Sequence, residues 1–483
     1  MIKQWTQWTQ WTKLKWMVAV TAAIVMAFPL LATAKGSDSD TQQVRDILSQ
    51  VHVSGVSESA LAGKSIDEML KLLDDPYTDY FSPEELEQFS NILENNYVGM
   101  GARVGFDENG VFIVEVFAGS PAEKAGIQRD DYIKAVDGAP TDGLALDVVV
   151  NKIKGEAGTS VEVTVERDGK FIKFPLIRDA VNIPEVYSKH FEGNVGYMQI
   201  TDFSSDAELE FDQQLKELQV KGLDALIIDL RNDPGGLLST ALNISKHFIQ
   251  EGTLIYMKDR NDNSTPLKIT GGSKLGVPVH ILLNEYSASA SEVLAGALQD
   301  YGIAKVIGMQ SYGKGSVQRL YGLEEGGALK VTVEEYLTPN KHEVNHVGIT
   351  PDLKVDGSAA QMITALRKSG ITDIKVQVSK HKVLFNGVEV IDSFNLVREN
   401  GKLFAPTRAL AALINAEISW NDKLRTIDIA FQGGNHSFSA ASSDILIENG
   451  TSYVNVEHFR KFFPQLVVED QGEQLTTLTA RGN

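Results

Sequence analysis

The rhythm of hydrophobic and polar positions changes several times along the chain. Residues 16–31 are almost wholly apolar. From 40 to 95 the spacing turns helical, with Val44, Ile47, Leu48 and Val51 on one face among many charges. Between 97 and 178 apolar residues alternate, as in 112–117 and 161–165, and glycine-rich breaks separate the runs, which predicts short half-buried strands. One short helix over 121–126 interrupts them. Residues 186–355 carry runs of Val, Ile and Leu such as 226–230 and 279–283 between helical segments, the mark of an α/β domain with strands buried on both faces. Beyond Asp356 a Gly-Ser-Ala linker leads to a helix and then an α+β region.

That last region repeats itself. Glu399-Asn-Gly401 recurs as Glu448-Asn-Gly450, Leu403-Phe404 is answered by Ser452-Tyr453 and Leu410 by Phe459, a period of 49 residues. Two copies are too few for a solenoid and predict one small pseudo-symmetric domain. At 483 residues, 43% apolar, the chain is too long for a single core.

Composition narrows the chemistry. There is no cysteine, so disulfides, thiol catalysis, cysteine-ligated zinc and a lipoprotein anchor are excluded. A net charge of -19 speaks against nucleic acid as a partner. Lys3, Lys13 and Lys15 precede the apolar stretch and Ala32-Thr33-Ala34 offers a small-residue cleavage site, so 1–39 reads as an export signal. Cleavage and retention as a membrane anchor both stay open, since the stretch just spans a bilayer and Trp5, Trp8 and Trp11 suit its interface. Either way the bulk of the chain is expected outside the cytoplasmic membrane, in the cell envelope or beyond.

Two segments carry candidate chemistry. Ser289 lies in Asn284-Glu-Tyr-Ser-Ala-Ser-Ala-Ser-Glu292, just before an apolar helical run, and Lys314 follows 25 residues later in Ser311-Tyr-Gly-Lys-Gly-Ser-Val-Gln318. A hydroxyl needs a base to become a nucleophile, and lysine serves as one only when desolvation favours its neutral form. Taken alone, Ser289 and Glu292 fit a capping box and Lys314 a surface charge. A third segment, Asp229-Leu-Arg-Asn-Asp-Pro-Gly-Gly236, leaves a buried strand and opens a helix, so its glycines could present amides to an oxyanion. Gln318 stands four residues after Lys314, within reach of its amine. His342-Glu-Val-Asn-His346 matches a zinc-protease pattern, but Pro339, Gly348 and Pro351 crowd it and no helical face surrounds it; we read it as a chance match in a loop and expect no metal.

Together these segments resemble the carboxyl-terminal processing (tail-specific) proteases over residues 40–356. The resemblance implies Ser289 as nucleophile, Lys314 as general base, Gln318 as the residue orienting the lysine, and the amides of Gly235 and Ala290 as the oxyanion hole. Asp233 departs from the asparagine usual in the family. Val98-Gly-Met-Gly-Ala-Arg-Val-Gly105 with Gly119-Ser-Pro-Ala-Glu-Lys-Ala-Gly126 resembles a PDZ domain, whose loop at Gly99, Met100, Gly101 and Ala102 would hold a substrate's terminal carboxylate while the tail adds a strand to the sheet. The pattern Asn400-Gly-Lys-Leu-Phe-Ala-Pro-Thr-Arg408 to Trp420-Asn resembles the copper amine oxidase N-terminal-like modules, without copper, since His436 and His458 show no ligand spacing.

The expected architecture is therefore multidomain α/β and α+β: signal or anchor 1–39, helical arm 40–95, PDZ domain 96–180, a protease core like the crotonase and ClpP (caseinolytic protease) fold over 181–357, and a small binding or spacer module over 358–483. The expected partners are protein substrates with free C-terminal tails, with no cofactor, and a homodimer built through the helical arm. A non-catalytic PDZ scaffold and a crotonase-type acyl-CoA enzyme are the rival readings.

Overall fold

The computed structural model describes residues 38–93, 97–431 and 434–481; the segment 1–37, with Trp5, Trp8 and Trp11, on which the expectation of an export signal rests, lies outside them. The chain forms two compact units, one over 95–183 and one joining the preceding helical region to everything after 184.

The first unit is an antiparallel sheet in the order Ala102–Asp107, Gly110–Val116, Tyr132–Val136, Ser160–Arg167, Lys170–Ile177. Val161, Val163 and Val165 are buried while their neighbours face outward, the period of two that the sequence shows. Asp168 and Gly169, both at positive φ (50° and 72°), make the tight turn between the last two strands. The helix Pro121–Ala125 is capped by Ser120, whose side chain accepts the Glu123 amide, and ends on Gly126 at φ 87°. A second helix, Leu146–Ile153, was not expected. Its three consecutive valines favour strand by propensity, but Val149 and Ile153, four apart, are buried, and tertiary packing decides.

In the second unit a mostly parallel sheet runs in the order Val186–Phe191, Val195–Ile200, Ala225–Asp229, Val279–Leu283, Ala304–Gly308, Leu353–Lys354, with only the first pair antiparallel. Side chains leave it alternately. Leu226, Ile228, Ile281 and Leu283 pack in one core with helices Ala207–Lys221, Leu238–Ser245 and Ala290–Asp300. Ile227, Leu282 and Ile307 pack on the other face with helix Ser358–Lys368 and residues up to Ala480. Residues after 358 thus share a core with the parallel sheet.

A second sheet is built around the long strand Ala328–Leu337, which pairs with Ser316–Gly322, Gly252–Asp259 and Asp79–Phe81. The helical region therefore does more than extend as an arm. It donates a strand to this sheet, and Val44, Leu48, Leu61, Ile66 and Met69 pack against Leu329, Val331 and Val333. In the C-terminal region the internal repeat is visible as two hairpin-plus-helix units ending in Thr407–Leu413 and Val456–Phe462. Asn400-Gly401 and Asn449-Gly450, all at positive φ, make the matching turns, and strands Lys402–Pro406 and Thr451–Asn455 pair across the pseudo-symmetry.

Candidate active site

Strand Val279–Leu283 leads through a short loop to Ser289, which precedes helix Ala290–Asp300. Its backbone sits at φ 54°, ψ -114°, a conformation few side chains adopt and one that packing must enforce. Enforcement comes from Glu292. Fully buried, its carboxylate accepts the Ser289 amide at 2.8 Å, the Ser311 hydroxyl at 2.6 Å, the Gly313 amide at 2.7 Å and the Lys314 amide at 2.8 Å. One side chain thereby ties the serine segment to the lysine segment. Burial pushes the Glu292 carboxyl up from its ordinary range, and those four donors pull against it. Buried Tyr336 adds a second tie, its phenol lying 3.1 Å from the Ser289 carbonyl and 2.9 Å from that of Lys314.

The glycines beside Lys314 permit the close approach expected of them. A Cβ on Gly315 would stand 2.1 Å from the Asn345 amide nitrogen, and Gly313 is at φ 89°. The amine is half-buried, and burial, reinforced by the positive Lys330, holds its pKa below the ordinary lysine value against the opposing Glu292 and Asp75. It lies over the Tyr77 ring, 4.9 Å from the centroid. Among the described residues no hydrogen bond joins Lys314 Nζ to Ser289 Oγ or to Gln318. The Gln318 amide instead donates to Ser316 Oγ (2.9 Å) and Thr332 Oγ1 (3.2 Å).

The glycine loop does reach the serine. A Cβ on Gly235, at φ 102°, would lie 2.7 Å from Ser289 Cβ and 2.8 Å from the Ala290 amide nitrogen, so only glycine fits. The Ala290 amide, first of its helix, has no intrahelical acceptor. The Gly235 amide is engaged, donating to Asp233 Oδ1 at 2.9 Å. Asp233 is wholly buried and its Oδ2 has no partner. Burial, then the nearby Asp202, push its carboxyl well above the usual range. Burial likewise pushes Asp202 up to about 7 and Glu185 up to about 8. Next along the loop, buried Arg231 makes a fork to Asp229 (2.8 and 2.5 Å) and reaches Asp392 at 3.1 Å and the Ser358 carbonyl at 2.8 Å.

Two family models match the chain, peptidase family S41 over residues 194–355 and the PDZ domain over 112–167. A carboxyl-terminal-processing protease of Picosynechococcus is 36% identical over 60% of this chain and 72% of its own length. The carboxy-terminal processing protease CtpB of Bacillus subtilis is 34% identical over 74% of this chain and 76% of its own. The chain belongs to peptidase family S41. A solved photosystem II D1 C-terminal processing protease is similar at 28% identity, covering 65% of this chain and 92% of that one, with a TM-score of 0.45.

As an S41 peptidase the protein is a serine-type hydrolase of peptide bonds with a PDZ domain, which sets aside the scaffold and acyl-CoA readings. Of the PDZ loop residues, Gly99 closes strand Tyr97–Gly99, Met100 buries its side chain in the PDZ core, Gly101 turns at φ 80°, and Ala102 starts the strand at the sheet's edge. The histidine pair of this peptidase lies outside any helix, with His346 in a turn at φ 59° and His342 in a loop beside Asp300 at 3.4 Å. Sequence reasoning gave Glu292 only a capping role and assigned Tyr336 and Tyr77 no part in the site. An acid inside an otherwise apolar helix start was the available sign for Glu292.

Proposed function

We propose that this S41 peptidase is an exported endopeptidase that captures the C-terminal tail of a protein substrate on its PDZ domain and cleaves with a Ser289–Lys314 dyad. The observation that carries the reading is the Glu292 carboxylate, which accepts the amides of both Ser289 and Lys314. Lys314, uncharged, turns its flexible stem to Ser289 and takes the hydroxyl proton as Oγ attacks the peptide carbonyl. The tetrahedral oxyanion is met by the Ala290 amide and, once released from Asp233, by that of Gly235. Collapse expels the amine fragment, which takes the proton from Lys314, and water then hydrolyses the acyl-enzyme by the same route. The position of the strand beginning at Ala102, at the edge of its sheet, suits backbone pairing with an extended tail. Ser289→Ala and Lys314→Ala, each with an unchanged melting curve, should abolish fragmentation of an unfolded substrate mapped by mass spectrometry; retained cleavage in either removes the dyad. Amidating the substrate's C-terminus should slow cleavage, and equal rates would remove tail capture.

A further inference from the structure

The segment packed on Lys314 comes from far away in the chain, out of the helical region. Residues 75–78 form a tight turn in which Asp75 Oδ1 accepts the Tyr77 amide at 2.9 Å and Oδ2 accepts the Thr78 hydroxyl at 2.6 Å and faces His52 Nε2 at 3.2 Å. The turn is pinned to strand Ala328–Leu337, for the Thr332 amide donates to Thr78 Oγ1 at 3.0 Å and the Thr332 carbonyl accepts the Val53 amide at 2.9 Å. The side chain of that same Thr332 receives Gln318. Thus the turn, the strand and the lysine loop are one hydrogen-bonded assembly, and its outcome is the Tyr77 ring set against the Lys314 amine.

We infer that Tyr77 is a positioning residue for Lys314: its ring, fixed by the Asp75–Thr78 turn, forms the wall that keeps water off the amine. The inference rests on the Ser289–Lys314 reading for its catalytic meaning. A ring face so placed has two opposed effects. It attracts an ammonium, typically by about 0.5–2 kcal/mol, and it displaces water that would solvate the ammonium better, a loss that lowers a buried lysine's pKa by several units in extreme cases. Desolvation is the larger, so the ring favours the neutral amine. The charged groups facing the amine are Lys330 from the strand, Glu292 from the helix and Asp75 from the turn; the phenols of Tyr77 and Tyr312 lie beside them. Lys330 works in the same direction as the ring, and its own charge is occupied by the faces of Phe81 and Phe89 at 5.0 and 5.3 Å.

The test uses the full-length protein. Tyr77→Ala should lose about tenfold in kcat/KM near neutral pH, a fraction of what a general base supplies, and should recover as pH rises, because the lysine then titrates at higher pH. Tyr77→Phe, which keeps the ring, should restore the wild-type profile. In parallel, the pH dependence of Lys314 acylation by an amine-reactive ester, read by peptide mass spectrometry in a Ser289→Ala background, should show its midpoint moving up when Tyr77→Ala is added. A pH-independent loss with an unmoved midpoint would mean a merely structural turn and would overturn the inference, as would Tyr77→Phe behaving like Tyr77→Ala. If Tyr77→Ala does not fold, Tyr77→Leu, which fills the space without a π face, should keep the midpoint low, and a raised midpoint there would overturn the role of the ring as a water barrier. The labelling arm needs no turnover, so it decides the inference even where Lys314→Ala left cleavage intact.

Discussion

The regions over 97–183 and 358–481 resemble one another in sequence, each small, β-rich and turned by Asn-Gly or Asp-Gly hairpins. Their cores are built differently. The PDZ core draws only on residues between Met100 and Leu176, whereas the C-terminal core includes Tyr197, Ile227, Leu282 and Ile307 of the parallel sheet. Each region also holds an aspartate, its side chain buried, on an arginine. In the PDZ domain Arg167, at the end of strand Ser160–Arg167, grips Asp131, just before strand Tyr132–Val136, at 2.6 Å, while Arg231 forks to Asp229 of the parallel sheet and crosses to Asp392. One module stabilises itself; the other is part of the peptidase fold.

The comparison is broken most directly at the two arginines. Arg231→Met leaves Asp229 and Asp392 buried without their counter-charge and should cost about 3–5 kcal/mol. Arg167 is partly exposed, so solvent softens its loss, and Arg167→Met should cost about 1–3 kcal/mol. Differential scanning calorimetry should show the first moving the transition of the peptidase unit and the second moving a separate PDZ transition. If Arg231→Met split off a C-terminal transition distinct from that of the parallel sheet, the C-terminal region would be a separate module after all.

A like-for-like pair of apolar truncations sharpens the same point. Leu366 and Ile113 are both fully buried, the first on the helix between the parallel sheet and the C-terminal region, the second in the PDZ sheet. Truncating either to alanine should cost about 2–5 kcal/mol. Leu366→Ala should lower peptidase stability and C-terminal stability together, and Ile113→Ala neither. Hydrogen exchange resolves the regions: protection lost in the C-terminal strands but kept in Val279–Leu283 after Leu366→Ala would contradict a shared core.

The difference between these regions explains what could be read from sequence. Alternation along 161–165 identified the PDZ strands because each faces one core and water, and the buried runs 226–230 and 279–283 identified the parallel sheet. Such runs cannot say which neighbour covers which face, so the covering of Ile227 and Leu282 by residues after 358 was not legible. The same limit applies at the site. The glycines at 235, 313 and 315 announced close backbone approach, and the distances bear that out. Tyr77 could not be found this way, since its partner Lys314 lies 237 positions on and nothing local in 75–78 marks it as more than a turn.

Asp233 gives the smallest effect and the one that separates the two regions by pH. Its carboxyl is raised in the folded peptidase unit, so its stabilising contribution is complete below its unfolded pKa, about 4, and is lost as pH rises toward the folded value. Asp202 and Glu185, raised to about 7 and about 8, act with the same sign, so peptidase stability should decline between about pH 4 and about pH 8. Asp233→Asn keeps an acceptor for the Gly235 amide and removes the ionisation. It should therefore gain about 1–3 kcal/mol at the alkaline end, the scale of one buried unsatisfied polar group, and nothing at the acid end. Urea midpoints across that window should diverge as pH rises, for the peptidase transition alone, because the PDZ domain contains none of these carboxylates. Midpoints that ran parallel at every pH would show that Asp233 carries a charge in the fold, and with it that the Gly235 amide is held by an ion.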